Sequence, residues 1–346
     1  IPSYRLPRDI IAKEIDDIRA LGVDIRCNTR VGNDIPFAQI DKEFDFIFLA
    51  PGSHKSLMLG IPGEGLKGVY GGVEFLRDFN ANEASWLKGR KSLGARVAVI
   101  GGGNSAIDAA RCAVRLGAEV TILYRRERQE MPAAVEEIAA AEEEGIKIEF
   151  LAAPVEIIGK QGRANGITCQ RMKLGEFDQG GRKKPVPIKG SDFTIEADAV
   201  IAAIGQITDM SFVLKDIGIS VNKWNTFDLA KGSATRTTHP KFYAGGDAVT
   251  GPDTVIGAIA AGHQAAKDID SAIRARNDEP AYEEPAEAKI DIPFVLDEEN
   301  PEAPQTKMPE LHGSERKHGF AEVELGFTMQ DAIKESKRCL RCDIEI

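Results

Sequence analysis

Apolar positions switch between a period of two and a period near 3.6 along the first 275 residues. That alternation predicts parallel sheets with helices on their faces. Residues 9–21 place Ile10, Ile11, Ile15, Ile18 and Leu21 on one face of an amphipathic helix, and Gly22 ends it. A short strand is expected over 23–27. Residues 44–50, FDFIFLA, are apolar on both pleat faces, as a strand inside a parallel sheet must be. From 96 the run RVAVI leads directly into GGGNSAIDAA; a helix is expected through Leu116 with Gly117 beyond it, then the strand AEVTILY over 118–124. Together they form a complete β-turn-α-β unit of about 30 residues. A helix over about 133–144, a strand over 146–151, a polar hairpin-like region around 162–189 and a buried strand over 198–205 follow. FYAGGDA, 242–248, then leads into a long helix over about 254–273.

Beyond 275 the pattern stops. Residues 276 to about 315 carry Pro280, Pro285, Pro293, Pro301 and Pro304, so an extended, solvated strap without regular structure is expected. Thr328 with Asp331 three residues on is a capping box, which starts a short basic helix reaching about Arg341. Charge sharpens this division. The whole chain carries a net charge of -10. Residues 277–304 hold ten acids against one base, Lys289, so the remainder is nearly neutral. An acidic balance argues against a nucleic-acid partner or an anionic membrane held by phosphate contacts. No apolar run approaches the ~18 residues that span a bilayer, and no signal pattern opens the chain, so a cytoplasmic protein is expected. The 346 residues correspond to about two domains.

In Gly101-x-Gly103-x-x-Ala106 each small residue has a mechanical task. Gly101 makes the tight turn off the strand, Gly103 lets a pyrophosphate approach the backbone, and Ala106 lets the helix pack closely on the sheet. Phosphates then meet the free N–H groups at the helix start, around Asn104 and Ser105, where the dipole is positive. Asn104 is expected to help cap that turn. The second strand ends in Tyr124-Arg125-Arg126, where an NAD site would carry a carboxylate. Two guanidinium groups match a 2′-phosphate, so NADPH is expected over NADH. The alternative is a solvated basic loop paired with Glu127 and Glu130. Further on, Asp247 ends the strand in AGGDA, and a small-residue-rich helix starts near Thr254. A carboxylate there can bond a ribityl hydroxyl, and the helix start can stabilise charge on a reduced flavin. A structural Asp-capped turn explains the same residues.

IPSYRLPRDII, FLAPG, GGGNSAIDAARCAVRLGAEVTILYRR with EMPA, AAIGQ, FYAGGDA and the terminal RCLRCD together resemble the small (beta) subunit of bacterial glutamate synthase and its relatives. The similarity spans essentially the whole chain. It implies an FAD- and NADPH-dependent oxidoreductase with a glutathione-reductase-like fold of two dinucleotide-binding domains. Residues 1–90 and 209–275 would be two segments of an FAD domain, and 91–208 an NADPH-binding, Rossmann-like domain inserted between them. Residues 276–320 would be the strap and 321–346 a C-terminal helix with a CxxC pair. The resemblance places Asp247 on the ribityl chain, the Thr254 turn with Val255 near the flavin ring, and Arg125 and Arg126 on the 2′-phosphate. Gly52, Gly205 and Gly246 join the cofactor-contacting set. The chain departs from the pattern twice. Ala50-Pro51-Gly52 stands where relatives usually have Ala-Thr-Gly, and the first FAD glycine motif with the cysteine-rich region before it is missing. The FAD domain is therefore expected to be incomplete, the chain being a fragment or having its upstream part as a separate polypeptide.

Cys27, Cys112 and Cys169 are scattered singly and are expected to be reduced packing residues. Cys339 and Cys342, spaced i and i+3 among basic neighbours, supply half of the four ligands that an iron–sulfur or zinc site needs. They leave open a [4Fe-4S] cluster shared with cysteines from outside this chain, structural thiols, or a disulfide; a dithiol of the thioredoxin-reductase kind is disfavoured, since it must face the flavin and this pair follows the strap. The five histidines form no spaced cluster, and hydride transfer between stacked rings needs no acid–base residue, so no catalytic side chain is named. The expected activity is an NADPH:FAD module that passes electrons to a large partner subunit or to iron–sulfur centres. The alternatives are an electron-input subunit of another, including bifurcating, redox complex, and a nucleotide-binding subunit without turnover.

Overall fold

The structure, a computed structural model, describes residues 1–89, 91–178, 180–213, 217–283 and 304–337. Cys339, Cys342, the end of the basic helix and most of the acidic run lie outside the described residues.

Five parallel strands form the central sheet, in the order Val69–Gly71, Ala199–Ala202, Arg96–Ile100, Glu119–Tyr124, Lys147–Phe150. The alternation of strand side chains decides what covers each face. Val97, Val99, Val120, Ile122 and Ile201 share a core with the helix Asn104–Arg115, whose Ala106, Ile107, Ala109, Ala110, Cys112 and Ala113 are fully buried. The residues between them, Ala98, Ile100, Leu123 and Val200, meet Ile157, Ile167 and Cys169 of an antiparallel sheet. That sheet has three strands, Ala152–Lys160, Arg163–Phe177 and Lys183–Glu196. The expected hairpin at 162–189 is thus one part of a larger layer. Alternation along these long strands is half polar, because one face packs on the parallel sheet and the other meets solvent.

A smaller core lies around the parallel pair Ile47–Leu49 and Phe242–Ala244, with Phe37, Phe227 and Ala248. Two connections join the halves, and they pair as a short antiparallel ladder of Lys55–Ser56 with Gln206–Ile207. Beside it, Ser53 and Thr208 share a buried hydroxyl–hydroxyl bond of 3.1 Å.

Three expectations change. The helix Arg8–Ala20 forms, yet none of its residues is buried, and Ile10, Ile18 and Leu21 stay exposed. Residues 23–27 form no strand, because no neighbouring strand offers them a ladder. The far end of the strap is ordered against the first half. A short helix, Gly313–Arg316, interrupts it, Leu311 N–H donates to Val323, Val323 N–H donates to Tyr4, and Phe320 packs 4.9 Å from the Phe79 ring. The expected capping box is present, with Thr328 Oγ1 accepting from the Asp331 N–H and the Asp331 carboxylate accepting from the Thr328 N–H.

Glu144 ties these pieces together. Its buried carboxylate accepts from Arg111 Nε and Nη2 at 3.0 and 2.7 Å, and from Arg115 Nη1 and Nη2 at 2.5 and 2.9 Å. Burial pushes its pKa up, but the hydrogen bonds from Arg115 and Arg111 outweigh that and hold it below the ordinary carboxylate value. Removing the carboxylate leaves the buried Arg115 guanidinium without a carboxylate and Arg111 with Glu137 alone, so Glu144→Ala is expected to cost about 3–5 kcal/mol, read from the denaturant midpoint. Because the folded-state pKa is depressed, the stabilisation is complete above the unfolded value of about 4.3 and is lost as pH falls through the lower folded value. Below about pH 4 the stability of Glu144→Gln should fall less steeply than that of the parent; equal slopes would contradict the assignment.

Candidate functional site

Backbone geometry at 101–106 follows from where each Cβ would go. Gly101 has φ 140, and a Cβ there would lie 2.2 Å from the Ala203 carbonyl, so only glycine turns the chain so close to the neighbouring strand. Gly102 lies flat on the Tyr124 ring, whose hydroxyl donates to the Glu130 carbonyl at 2.5 Å. At Gly103 the backbone is extended and a Cβ would meet only Pro132, at 3.8 Å. The residue is therefore small for the sake of the space in front of it. Ala106 and Ile107 N–H donate to the Gly103 carbonyl, which leaves the Asn104 and Ser105 N–H groups at the helix start without a backbone acceptor. An open cradle with two outward N–H groups at a positive helix end fits a pyrophosphate.

Asn104 does not cap its own turn. It is the first helical residue, and its Oδ1 accepts from the Ala134 N–H at 3.1 Å, while Ala133 N–H donates to Gly102. The 131–134 turn is thereby fastened across the glycine loop. Gln206 donates to Ser105 Oγ at 2.8 Å and ties the connection between the halves to the same loop. Neither contact was legible from local pattern, because the partners lie 30 and 101 residues away.

The two arginines separate. Arg125 is exposed and forms no ion pair among the described residues. Arg126 is buried; Nη2 donates to Asp178 at 2.8 Å and Nε to the Lys183 carbonyl at 2.7 Å. The expected pair of phosphate-gripping guanidiniums is thus one free group and one already engaged.

On the other half, Gly246 has φ 62 and sets Asp247 at the first position of the short helix Asp247–Thr250. One Asp247 carboxylate oxygen accepts from the Asp253 N–H at 3.2 Å. Thr254 caps the helix Val255–Arg276 by accepting from the Gly257 N–H at 3.2 Å. Gly52 and Gly205, with φ 68 and 148, flank the ladder between the halves. The face around these residues is apolar and bare. Val255, Ile256, Ile259, Leu57 and Met58 are exposed, and of the 22 residues of the long helix only Ala265 is buried. Among the described residues the Ile47–Leu49 strand is paired along one edge only.

Among the described residues no group of three or more His, Cys, Asp or Glu could hold a metal. Cys112 and Cys169 are packing residues, and burial pushes the Cys169 thiol up to about 12 and Cys112 higher still. Cys27 is exposed, against expectation. No helix among the described residues is long and apolar enough to cross a membrane.

A glycine cradle on a parallel sheet, joined by a two-stranded ladder to a second Gly-Asp strand end, is matched over residues 38–262 by the model of the pyridine nucleotide-disulphide oxidoreductases. The chain belongs to that family. Within it, this oxidoreductase chain is 43% identical over 99% of its length to the NADP(+)-dependent formate dehydrogenase subunit beta of Moorella thermoacetica, covering 48% of that protein. It is 40% identical, again over 99%, to the NADPH-Fe(3+) oxidoreductase subunit beta of Geobacter sulfurreducens, covering 55%. The glutamate synthase [NADPH] small chain of Halomonas elongata is 34% identical over 78% of the chain and is covered to 58%. The chain therefore spans about half the length of the first two relatives. Among solved structures, FprA from Mycobacterium tuberculosis superposes with a TM-score of 0.63 at 20% identity, over 80% of this chain and 75% of FprA, which shows the shared fold.

The two glycines give opposite tests. Gly101→Ala should lower stability by about 1–3 kcal/mol, since φ 140 and the Ala203 carbonyl both resist a side chain. Gly103→Ala should leave the melting temperature nearly unchanged and weaken NADPH binding, followed by isothermal titration, by roughly tenfold or more. Unchanged binding in Gly103→Ala would remove the cradle from the site.

Proposed function

We propose that this chain is the hydride-exchanging part of an NADPH:flavin oxidoreductase subunit that trades electrons with a partner subunit. The observation that carries this is the open cradle at Gly103, faced by the Asn104 and Ser105 N–H groups and tied through Gln206 to the connection leading to Asp247. In this reading residues 91–208 hold NADPH, while 1–90 and 209–275 supply the flavin side.

When bound, the nicotinamide and flavin rings supply the chemistry, a hydride passing between them. The chain's own residues bind and orient. Asn104 and Ser105 N–H receive the pyrophosphate, Ala106 keeps the helix start close to the sheet, and Arg125 meets the 2′-phosphate. Asp247 keeps one carboxylate oxygen free of the Asp253 N–H, which suits a ribityl hydroxyl. The Thr254-capped helix start, with Val255, presents a positive dipole end toward the ring. The residues present thus fit the pyrophosphate and 2′-phosphate of NADPH, and FAD in part. The bare faces of Ile256 and Ile259, and the unpaired edge of Ile47–Leu49, mark where further protein would have to close the flavin side.

The relatives that align over 99% of the chain are named as beta subunits of a formate dehydrogenase and of an Fe(3+) oxidoreductase, whereas glutamate synthase small chains align over 78%. That difference supports an electron-exchanging subunit of such a redox complex over a glutamate synthase subunit.

Anaerobic titration of the native assembly with NADPH and with NADH tests the proposal through the flavin absorption band. Bleaching is expected at a lower concentration of NADPH than of NADH. An assembly with no flavin band, or one bleached by neither nucleotide, would overturn it.

A further inference from the structure

Arg126 is engaged by a turn that lies 52 residues further along the chain. The turn joins the strands Arg163–Phe177 and Lys183–Glu196 at one end of the antiparallel sheet. Asp178 organises it: one carboxylate oxygen accepts from the Gly180 and Arg182 N–H groups at 2.9 and 3.0 Å, and the other accepts from Arg126 at 2.8 Å. The Arg182 N–H, assisted by the Gly180 N–H and the Arg126 charge, holds the Asp178 carboxyl below the usual range, so it stays ionised. Arg126 adds a second tie through the Lys183 carbonyl, and its own carbonyl accepts from the Leu151 N–H at 3.2 Å. A buried guanidinium held at two points, on a backbone carbonyl held at a third, is a fixed part of the scaffold.

Three consecutive bases, Arg182, Lys183 and Lys184, leave that turn immediately beside the anchored arginine. None of them, nor Arg125, forms an ion pair among the described residues, although most other arginines near this sheet do: Arg171 bonds Glu149 and Arg96 bonds Glu196 and Asp198. The Arg126–Asp178 pair is neutral as a unit. The pair sets the backbone of Arg182 and Lys183 beside Arg126, next in the chain to Arg125, and the remaining cations of both segments have no ion-pair partner among the described residues.

We propose that this turn completes the subsite for the adenosine 2′-phosphate of NADPH, with Arg125 and the bases Arg182, Lys183 and Lys184 supplying positive charge and Arg126 acting as the positioning residue that docks the turn. The inference rests on the assignment of the cradle to NADPH. It also explains why two adjacent arginines are needed at one strand end when only one is free: one faces the ligand and the other fixes the element that brings further charge.

The test is steady-state oxidation of NADPH and NADH by the native assembly, with the ratio of the two KM values as the readout. Charge reversal on the exposed turn, Arg182→Glu with Lys184→Glu, is expected to raise KM for NADPH relative to NADH by about tenfold, with kcat for NADPH little changed. Asp178→Asn loosens the turn and is expected to move the ratio in the same direction. A ratio unaffected by the double charge reversal would overturn the proposal. So would tighter NADPH use in Asp178→Asn, because that result means Asp178 competes with the phosphate for Arg126 instead of positioning the turn. A parent assembly that oxidises neither nucleotide would strike the NADPH assignment itself, which separates the two failures.

Discussion

The buried carboxylate of Glu144 is the constraint around which the half built on the five-stranded sheet is arranged. A charge removed from water is costly unless it is fully hydrogen-bonded, and Glu144 meets that condition only when Arg111 and Arg115 both present their forks to it. Those arginines sit in the last turns of the helix Asn104–Arg115, and Glu144 follows the helix Val135–Glu143. The network therefore fixes the far end of the helix whose start faces the glycine cradle. Tyr4 lies against both guanidiniums, 4.8 and 3.9 Å from its ring centre, and Arg115 Nε donates to the Gly319 carbonyl. Chain segments from near both ends of the described residues thus depend on the same charges. A helix pinned at its C-terminal end can hold its N-terminal N–H groups in place with little further help, which is what pre-organised recognition of a pyrophosphate needs.

Much of this half was legible because its determinants are local. The strand RVAVI, the glycine turn, the alanine-rich helix and AEVTILY sit within 30 residues, and each constrains its neighbour. The long-range pairings were not. Nothing in Tyr124-Arg125-Arg126 announces that Asp178 will claim the second guanidinium, and nothing in Asn104 shows that its partner is the Ala134 N–H. Side-chain identity specifies what a group can bond; only the fold decides which of several acceptors reaches it first. The apolar face of residues 8–20 was equally clear as a pattern, yet pattern alone names no partner for Ile10, Ile18 or Leu21. The expected strand at 23–27 failed for a related reason: extended, β-branched sequence becomes a strand only beside another edge.

The two halves differ in how far their cores close. Around the five-stranded sheet, helices cover one face and the antiparallel layer covers the other, so its strands are buried as a parallel sheet requires. The other half has a two-stranded parallel sheet, a small core about Phe37, Phe227 and Phe242, and a 22-residue helix with a single buried residue. Two parallel strands do not form an independently stable unit. The glycine cradle lies in the half whose core is closed on both faces of its sheet, and the Gly-Asp strand end at 246–247 lies in the half whose core is not.

Charge must then be read locally. A net charge of -10 would repel an anionic nucleotide if it were spread over the surface, but nearly all of it lies in residues 277–304. At physiological ionic strength the screening length is about 8 Å, so that run acts only on what lies beside it. The turn docked on Arg126 carries three bases, Arg182, Lys183 and Lys184, while its Asp178 is neutralised by Arg126. Discrimination between NADPH and NADH depends on one phosphate, and a phosphate is sensed over the same few ångströms. The sign of the whole molecule is therefore a poor guide to its ligand, and the pairing of a single buried arginine is a better one.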